Sequence, residues 1–66
     1  MKVRIDSEDD ALYFELDDVE VDESEEVQPG IVMDYDKDGR LVGIEVLNIS
    51  TRLPPEKLRL MQFETA

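Results

Sequence analysis

Apolar and polar residues alternate along most of this chain, and this spacing is the feature that most constrains its fold. Near the N-terminus the alternating apolar residues are Val3, Ile5, Leu12, Phe14 and Leu16. A period of two places successive side chains on opposite faces of a β-strand, whereas a helix needs a period near 3.6. This part of the chain therefore predicts two half-buried strands.

A polar connection joins these two strands. Residues 7–10 read Ser-Glu-Asp-Asp, which is typical of a short turn. The simplest arrangement is an antiparallel hairpin in which Ile5 faces Leu12 and Val3 faces Phe14. Lys2 and Glu15 would then be neighbours on the outer face.

A second hairpin is predicted after Pro29 and Gly30, where Ile31, Met33 and Tyr35 share one face. Residues 36–39 supply a turn that ends in glycine. A four-residue turn gives a definite register for the strands on either side. The expected pairs are Pro29 with Val46, Ile31 with Ile44, Met33 with Val42 and Tyr35 with Arg40.

The other side of this hairpin is also apolar, because it carries Val32, Leu41, Leu47 and Ile49. Such a face needs a cover, which is either the C-terminal segment or a second copy of the protein. Pro54-Pro55-Glu56 resembles the start of a helix, with Leu58 and Met61 as its apolar stripe. The alternation around Lys57 to Leu60 also fits a strand, so residues 55–63 stay open between helix and strand.

The chain is predicted to form one small domain over residues 1–66, with residues 51–66 as a C-terminal tail. Its fold class is mainly β with a small helical part (α+β). Two antiparallel hairpins are expected in one twisted sheet or small sandwich, closed by a short C-terminal helix. Because the chain is short and has no cysteine for a disulfide, we expect it to bury its second apolar face as a homodimer.

The charge is strongly negative, with 18 acidic residues against 7 Lys and Arg and a net charge of −11. This repels phosphate backbones, so a direct nucleic-acid partner is not expected. Seven acids lie within residues 17–26 around two valines, which favours a solvated loop or a short edge strand protected by charge. These acids either only solubilise the chain or attract a small basic protein, with Asp22, Glu23, Glu25 and Glu26 as the candidate contacts.

The chain contains no histidine and no cysteine. It therefore lacks an imidazole base, a thiolate nucleophile and the usual zinc ligands. We expect no enzymatic activity, no catalytic residues and no cofactor. No apolar run approaches the roughly 20 residues of a membrane span, so the protein is expected to be soluble and cytoplasmic, without a membrane partner.

One motif resembles a calcium-binding loop. Asp34, Asp36 and Asp38 alternate before Gly39, and Glu45 follows where the loop of an EF-hand has its bidentate glutamate. The flanking residues have strand character, whereas an EF-hand needs helices. A hairpin turn with solvated acids is therefore the preferred interpretation, and a calcium loop is the alternative.

The order of motifs resembles the domain of unknown function 2283 family. The resemblance covers residues 1–50 and rests on the strings DALYFEL at residues 10–16 and VQPGIVMDYDKDGRLVGIEVL at residues 27–47. It implies a small β-rich bacterial or archaeal protein with no defined activity. Some similar proteins are encoded beside small proteins that resemble RelE-type toxins, which implies an antitoxin-like or partner-binding role. The alternative function is a structural homo-oligomer without a ligand.

Overall fold

The computed structural model describes residues 1–60 as a single five-stranded antiparallel sheet with two short helices. The strands are β1 (Lys2–Asp6), β2 (Ala11–Glu15), β3 (Glu23–Gln28), β4 (Ile31–Tyr35) and β5 (Leu41–Leu47), and the helices are α1 (Ile49–Arg52) and α2 (Pro55–Arg59). Their order across the sheet is β1-β2-β5-β4-β3. The mainly β fold with a short helix near the C-terminus is confirmed, and both predicted hairpins, β1–β2 and β4–β5, lie in one sheet, to which β3 adds a fifth strand beside β4.

The first hairpin has the predicted register. Val3 pairs with Phe14, Ile5 pairs with Leu12, and Lys2 pairs with Glu15. The predicted turn at residues 7–10 is stabilised by Asp6, whose Oδ1 accepts the backbone N–H groups of Glu8 at 3.0 Å and Asp9 at 3.2 Å. The local pattern was sufficient here because a short turn leaves little freedom in the register.

The predicted register of the second hairpin is wrong by two residues. Four pairs define the observed register: Ile31 with Val46, Met33 with Ile44, Asp34 with Gly43, and Tyr35 with Leu41. One residue of the shift comes from the turn, which includes Arg40. The other comes from a bulge, because Val42 has no partner on β4. The shift is an even number for residues 31–34 and their partners on β5, so these side chains keep their predicted face. The bulge pairs Leu41 with Tyr35, so Leu41 lies on the side of Tyr35 and Met33 and not on the predicted second face.

The two faces of the sheet differ in chemistry. One is an apolar face, formed by Val3, Ile5, Leu12, Phe14, Ile31, Met33, Ile44 and Val46. The other is a polar face that carries Arg4, Tyr13, Asp34 and Glu45 beside Val32 and Leu47. Ile49 was expected on this second face, but it lies in α1 and is buried by the chain itself.

Helix α1 is attached to one end of the sheet by polar contacts. The carboxylate of Asp10 accepts the Ser50 backbone N–H at 3.0 Å and the Ser50 hydroxyl at 2.7 Å. The guanidinium of Arg52 donates to the carbonyl of Leu47 at 3.0 Å and to that of Pro29 at 2.8 Å. These four contacts connect both hairpin turns at this end of the sheet to the segment that follows β5.

Helix α2 begins at Pro55, as the Pro-Pro-Glu sequence predicted. Its residues up to Arg59 are helical, so the alternative of a strand is wrong for this part of residues 55–63. The predicted continuation of the apolar stripe to Met61 lies outside the described residues. Helix α1 was not predicted, because a four-residue helix has no recognisable periodicity.

Candidate functional site: acidic edge and polar face

Strand β3 forms one edge of the sheet and carries most of the predicted partner-binding acids. Its six residues, Glu23–Gln28, are all exposed. It pairs with β4 only, so within residues 1–60 its outer edge carries no further strand. Of the two alternatives left open for the acidic segment, the edge strand is observed over these six residues. We call Asp22 together with β3 the acidic edge.

The four acids of the acidic edge do not converge on one point. Glu23 and Glu25 pair with Tyr35 and Met33, and therefore lie on the side of the apolar face. Glu26 pairs with Val32 on the opposite side. Asp22 precedes the strand, and its backbone N–H donates to the carbonyl of Tyr35 at 2.8 Å. The acids thus line a strand edge from both sides, an arrangement suited to a long partner and not to a single small ion.

A second group of polar residues lies on the polar face, and we call it the polar-face cluster. It consists of Tyr13 on β2, Glu45 on β5, Asp34 on β4 and Ser24 on β3. Asp34 is only 3% exposed, and its Oδ1 accepts a hydrogen bond from the Ser24 hydroxyl at 2.5 Å. Glu45 pairs directly with Tyr13. Acids and hydroxyls from four strands are therefore brought together across the sheet.

Gly43 makes this cluster sterically possible. It lies between Glu15 and Asp34 in the sheet, and the position that a Cβ atom would occupy is 2.5 Å from the Tyr13 hydroxyl oxygen and 3.0 Å from the Cζ carbon of that ring. The tyrosine ring therefore lies over the glycine. A side chain at residue 43 would push Tyr13 away from its place near Asp34.

The environment of the cluster shifts two pKa values. Burial raises the pKa of the Glu45 carboxyl, and the nearby carboxylate of Asp34 raises it further. Burial also raises the pKa of the Tyr13 hydroxyl, with a further contribution from Asp34. In both cases the protonated form is favoured, because a new negative charge would be poorly solvated and would lie beside an existing one.

The cluster offers little exposed surface to a substrate. Asp34 is almost completely covered, and no buried side-chain nitrogen or oxygen in residues 1–60 lacks a hydrogen-bond partner. The Arg4 guanidinium lies over the Tyr13 ring, 5.1 Å from its centroid, and covers it from the β1 side. This is the arrangement of a satisfied structural network.

The residues of the calcium-like motif are divided between two places. Asp34 and Glu45 belong to the polar-face cluster, whereas Asp36 lies in the β4–β5 turn. There its Oδ1 accepts the backbone N–H groups of Asp38 and Arg40, both at 2.9 Å. No group of three or more acidic residues within residues 1–60 is arranged to hold a metal ion.

The turn explains the spacing of these acids without a metal. Asp36 is also within 3.5 Å of the Arg40 guanidinium, and Asp38 is within 3.7 Å of it. The backbone N–H of Arg40 lowers the pKa of Asp36 below its usual value, with smaller contributions from the N–H of Asp38 and from nearby positive charges. The alternation of aspartates thus serves a hydrogen-bonded hairpin turn.

Sequence reasoning missed the polar-face cluster, although one signal for it was present. A glycine in the middle of a strand often marks the close approach of another group. Gly43 is such a residue, but the predicted register paired residue 43 with the wrong partner. With the observed register, Tyr13, Gly43 and Asp34 fall in adjacent positions on three neighbouring strands.

Comparison with known families agrees with the motifs. A family model described as "Protein of unknown function (DUF2283)" matches residues 2–50. The chain belongs to this family. The match includes all five strands of the DUF2283 sheet and the start of α1, but not α2. No curated protein and no solved structure is significantly similar to the chain. In residues 1–60, no helix is long and apolar enough to cross a membrane.

Proposed function

We propose that this DUF2283 domain is a protein-interaction module that binds a small basic partner along the acidic edge. One observation carries the proposal: within residues 1–60, β3 is a fully exposed edge strand that pairs with β4 alone. Its free backbone groups can accept one more strand from a partner. In the same proposal the domain is cytoplasmic and has no enzymatic activity of its own.

Charge determines which strand is accepted. Glu23 and Glu25 project on one side of β3 and Glu26 on the other, so both sides are negative. A second acidic edge is repelled, which protects the protein from pairing with itself through β3. A strand with lysine or arginine is attracted instead. The acidic edge therefore selects for a partner of opposite charge.

The net charge of −11 extends this selection beyond direct contact. At physiological ionic strength electrostatic attraction acts over about 8 to 10 Å, which is enough to increase the rate of productive encounters. Screening by salt weakens such attraction. A salt-sensitive association rate is therefore the expected signature of the proposed mechanism.

Apolar contacts near the same edge can prolong the complex. Val27 lies at a bulge in β3, has no partner on β4, and is 41% exposed. Val21 in the preceding loop is also 41% exposed. A basic strand that pairs with β3 can therefore bury these two valines and gain apolar contact in the complex. Charge then sets the association rate, while burial sets the lifetime.

The family resemblance suggests what the partner is. Some similar proteins are encoded beside small RelE-like toxins, and a small basic protein of this kind has the chemistry that the acidic edge selects. An antitoxin-like role follows if such a protein is the partner.

The first test is a titration of the ¹⁵N-labelled protein with a ten-residue peptide of alternating lysine and valine. A peptide with glutamate in place of lysine is the matched probe. We expect the lysine peptide alone to shift the amide resonances of β3, and we expect the dissociation constant to rise with salt. Equal shifts with both peptides, or shifts that avoid β3, would contradict the proposal.

Two variants with equal net charge separate the acidic edge from general electrostatics. One neutralises Asp22, Glu23, Glu25 and Glu26. The control neutralises four exposed acids elsewhere, namely Glu8, Asp9, Asp18 and Glu56. Each loses four negative charges. We expect the first to weaken binding by about tenfold or more and the control by much less. Equal weakening would show that only the net charge matters. The same two variants can be co-expressed with a basic protein encoded by the neighbouring gene, and the amount of complex formed can be compared.

A further inference from the structure

The second edge of the sheet is strand β1, and its charge is opposite to that of the acidic edge. Within residues 1–60, β1 pairs with β2 alone, and four of its five residues are exposed. Lys2 and Arg4 supply its positive charge, and neither forms an ion pair with a described residue. The one acid of β1, Asp6, accepts two backbone N–H groups of the β1–β2 turn. We call β1 the basic edge.

The strand pairings place opposite charges at the two ends of one row of side chains on the polar face. This row crosses all five strands through Arg4, Tyr13, Glu45, Val32 and Glu26. It therefore begins with a cation on the basic edge and ends with a carboxylate on the acidic edge. When a second sheet is placed beside the first with its rows in line, Glu26 of one copy becomes the neighbour of Arg4 of the next.

The directions of the edge strands allow the row to continue in this way. Four antiparallel pairings separate β1 from β3, so the two edge strands run in the same direction. A second copy in the same orientation therefore pairs its β1 in parallel with β3, and its polar face continues the polar face of the first copy. The two strands have five and six residues, so their lengths match.

The next row of the polar face agrees with the same register. It begins at Lys2 and ends at Ser24. In the extended sheet Lys2 lies beside Ser24 of the neighbouring copy and diagonally opposite its Glu26, which is within reach of a long side chain. Both cations of the basic edge thus approach a carboxylate of the acidic edge.

Exposed apolar residues lie at corresponding ends of the two edge strands. Ile5 is 49% exposed near the end of β1, and Val27 is 41% exposed near the end of β3. Because the strands are parallel in the extended sheet, these two ends come together. Pairing of the edges therefore removes apolar surface from water in addition to bringing opposite charges together.

Charge determines which edges pair. Two acidic edges bring carboxylates together, and two basic edges bring Lys2 and Arg4 together, so like edges repel. We propose that the basic edge of one copy pairs with the acidic edge of the next, so that the chain assembles edge to edge into a continuous sheet. The proposal rests on the acidic edge as a docking site, as the proposed function does, and names one strand that this edge accepts.

The proposed assembly has no fixed size. Each added copy leaves one basic edge and one acidic edge free, which is the property of a head-to-tail contact. The predicted homodimer is a different contact, because it was expected to bury Val32, Leu41, Leu47 and Ile49. Ile49 is buried by the chain itself, and Leu41 lies on the other side of the sheet. The edge-to-edge contact uses neither face.

Sedimentation equilibrium of the full chain is the first test, with protein from about 10 µM to 1 mM and about 0.15 M salt, where screening reduces long-range repulsion. We expect the average mass to rise above 7.6 kDa with concentration, without a plateau at the dimer. Because parallel pairs are slightly less stable than antiparallel ones, the rise is expected in the upper part of this range. In a mixture of isotope-labelled and unlabelled chains, intermolecular NOEs should connect the backbone protons of Arg4 and Glu26.

A charge swap between the two ends of the row provides matched variants. Arg4→Glu and Glu26→Arg each place like charges at the contact, and each should raise the dissociation constant at least about tenfold. The double variant restores opposite charges and keeps the net charge of −11, so it should associate about as well as wild type. Arg4→Glu with Glu8→Arg is the control. It has the same net charge, but Glu8 lies in the β1–β2 turn outside the row, so association should stay weak.

The lysine–valine peptide separates this proposal from the proposed function. As a competitor for β3, it should lower the average mass of the wild-type assembly. Assembly without peptide binding would support the edge-to-edge contact and contradict the proposed binding of basic strands in general. A chain that binds the peptide at β3 but stays monomeric throughout the concentration range would overturn the edge-to-edge contact alone.

Three other results would also overturn the proposal. They are intermolecular NOEs between like edges or between sheet faces, a double variant that associates no better than Arg4→Glu, and intramolecular NOEs that pair residues 61–66 with either edge strand. If a variant does not fold, the NOEs of the wild-type protein still decide the question.

Discussion

Two groups of acids in this sheet share the same residue types and differ in almost everything else. In the polar-face cluster, Asp34 is 3% exposed and Glu45 is half-buried, and both lie beside hydroxyl groups. On the acidic edge, every residue of β3 is exposed. Solvent access therefore assigns their roles: the enclosed acids hold strands together, whereas the exposed acids are available to a partner.

The comparison also shows why net charge alone is a poor guide to function. Among the 18 acids of the chain, Asp10 and Asp36 also have structural tasks, because they fix α1 and the β4–β5 turn. Only acids without such contacts can be neutralised at little cost in stability. The following predictions test this division, from the largest expected effect to the smallest.

The largest effect is expected for Asp34→Ala. This change removes the acceptor of the Ser24 hydroxyl and the carboxylate next to Tyr13, and leaves polar groups poorly paired in a covered site. We expect the free energy of unfolding to fall by about 1–3 kcal/mol, measured by urea denaturation. Glu25→Ala on the acidic edge is the control and should stay within about 0.5 kcal/mol of wild type. Equal effects from the two changes would remove the distinction between the two groups.

Gly43→Ala is expected to lower the free energy of unfolding by about 1–2 kcal/mol in urea denaturation, because the added methyl group overlaps the Tyr13 hydroxyl. Introducing the same change in a Tyr13→Phe background tests the cause. Without the hydroxyl the closest overlap disappears, so the penalty should be smaller in that background. A penalty that is unchanged in the double variant would place the strain elsewhere, for example against the backbone carbonyl of Phe14.

A smaller effect is expected from pH. Because the pKa of Glu45 is raised in the folded state, the folded protein binds this proton more tightly than the unfolded chain does. Glu45 therefore lowers the free energy of unfolding most at pH values above its folded pKa. This loss becomes smaller as the pH falls through the folded pKa toward the ordinary glutamate value. Glu45→Gln should be more stable than wild type near pH 8, and the difference should shrink toward pH 5. Urea denaturation of both proteins at several pH values measures this difference in the free energy of unfolding. A difference that grows as the pH falls would contradict a raised pKa for Glu45.

The smallest effect on stability is expected for the acidic edge itself. Neutralising Asp22, Glu23, Glu25 and Glu26 together should change the free energy of unfolding by less than about 1 kcal/mol, since these side chains have no ion pairs in the described structure. The same variant should lose most binding of a lysine-rich strand. A large loss of stability would mean that the acidic edge is structural as well.

The sequence predicted the faces of the strands better than their partners. Alternation placed Met33, Ile44 and Phe14 on one side correctly, because a two-residue error in register preserves the face. The error arose at Arg40 and Val42, where a longer turn and a bulge each added one residue. Neither feature has a signature in the alternation itself.

The candidate sites were predictable to different extents. The acidic edge was visible as a dense run of carboxylates, and the alternative of an edge strand was correct for residues 23–28. The polar-face cluster was not visible, since Tyr13, Ser24, Asp34 and Glu45 are far apart in sequence and meet only through the strand order. Long-range pairing determines such a cluster, and local patterns do not report it.

The central claim is that the acids of the polar face are coupled to one another. A titration of the Glu45 side-chain carboxyl carbon by NMR tests it most directly, in wild type and in Asp34→Asn. We expect the wild-type pKa of Glu45 to lie above the ordinary glutamate value, because of burial and the neighbouring carboxylate. In Asp34→Asn it should move down, since the neighbouring charge is gone. A wild-type Glu45 pKa at or below the ordinary value, unchanged in Asp34→Asn, would contradict the claim.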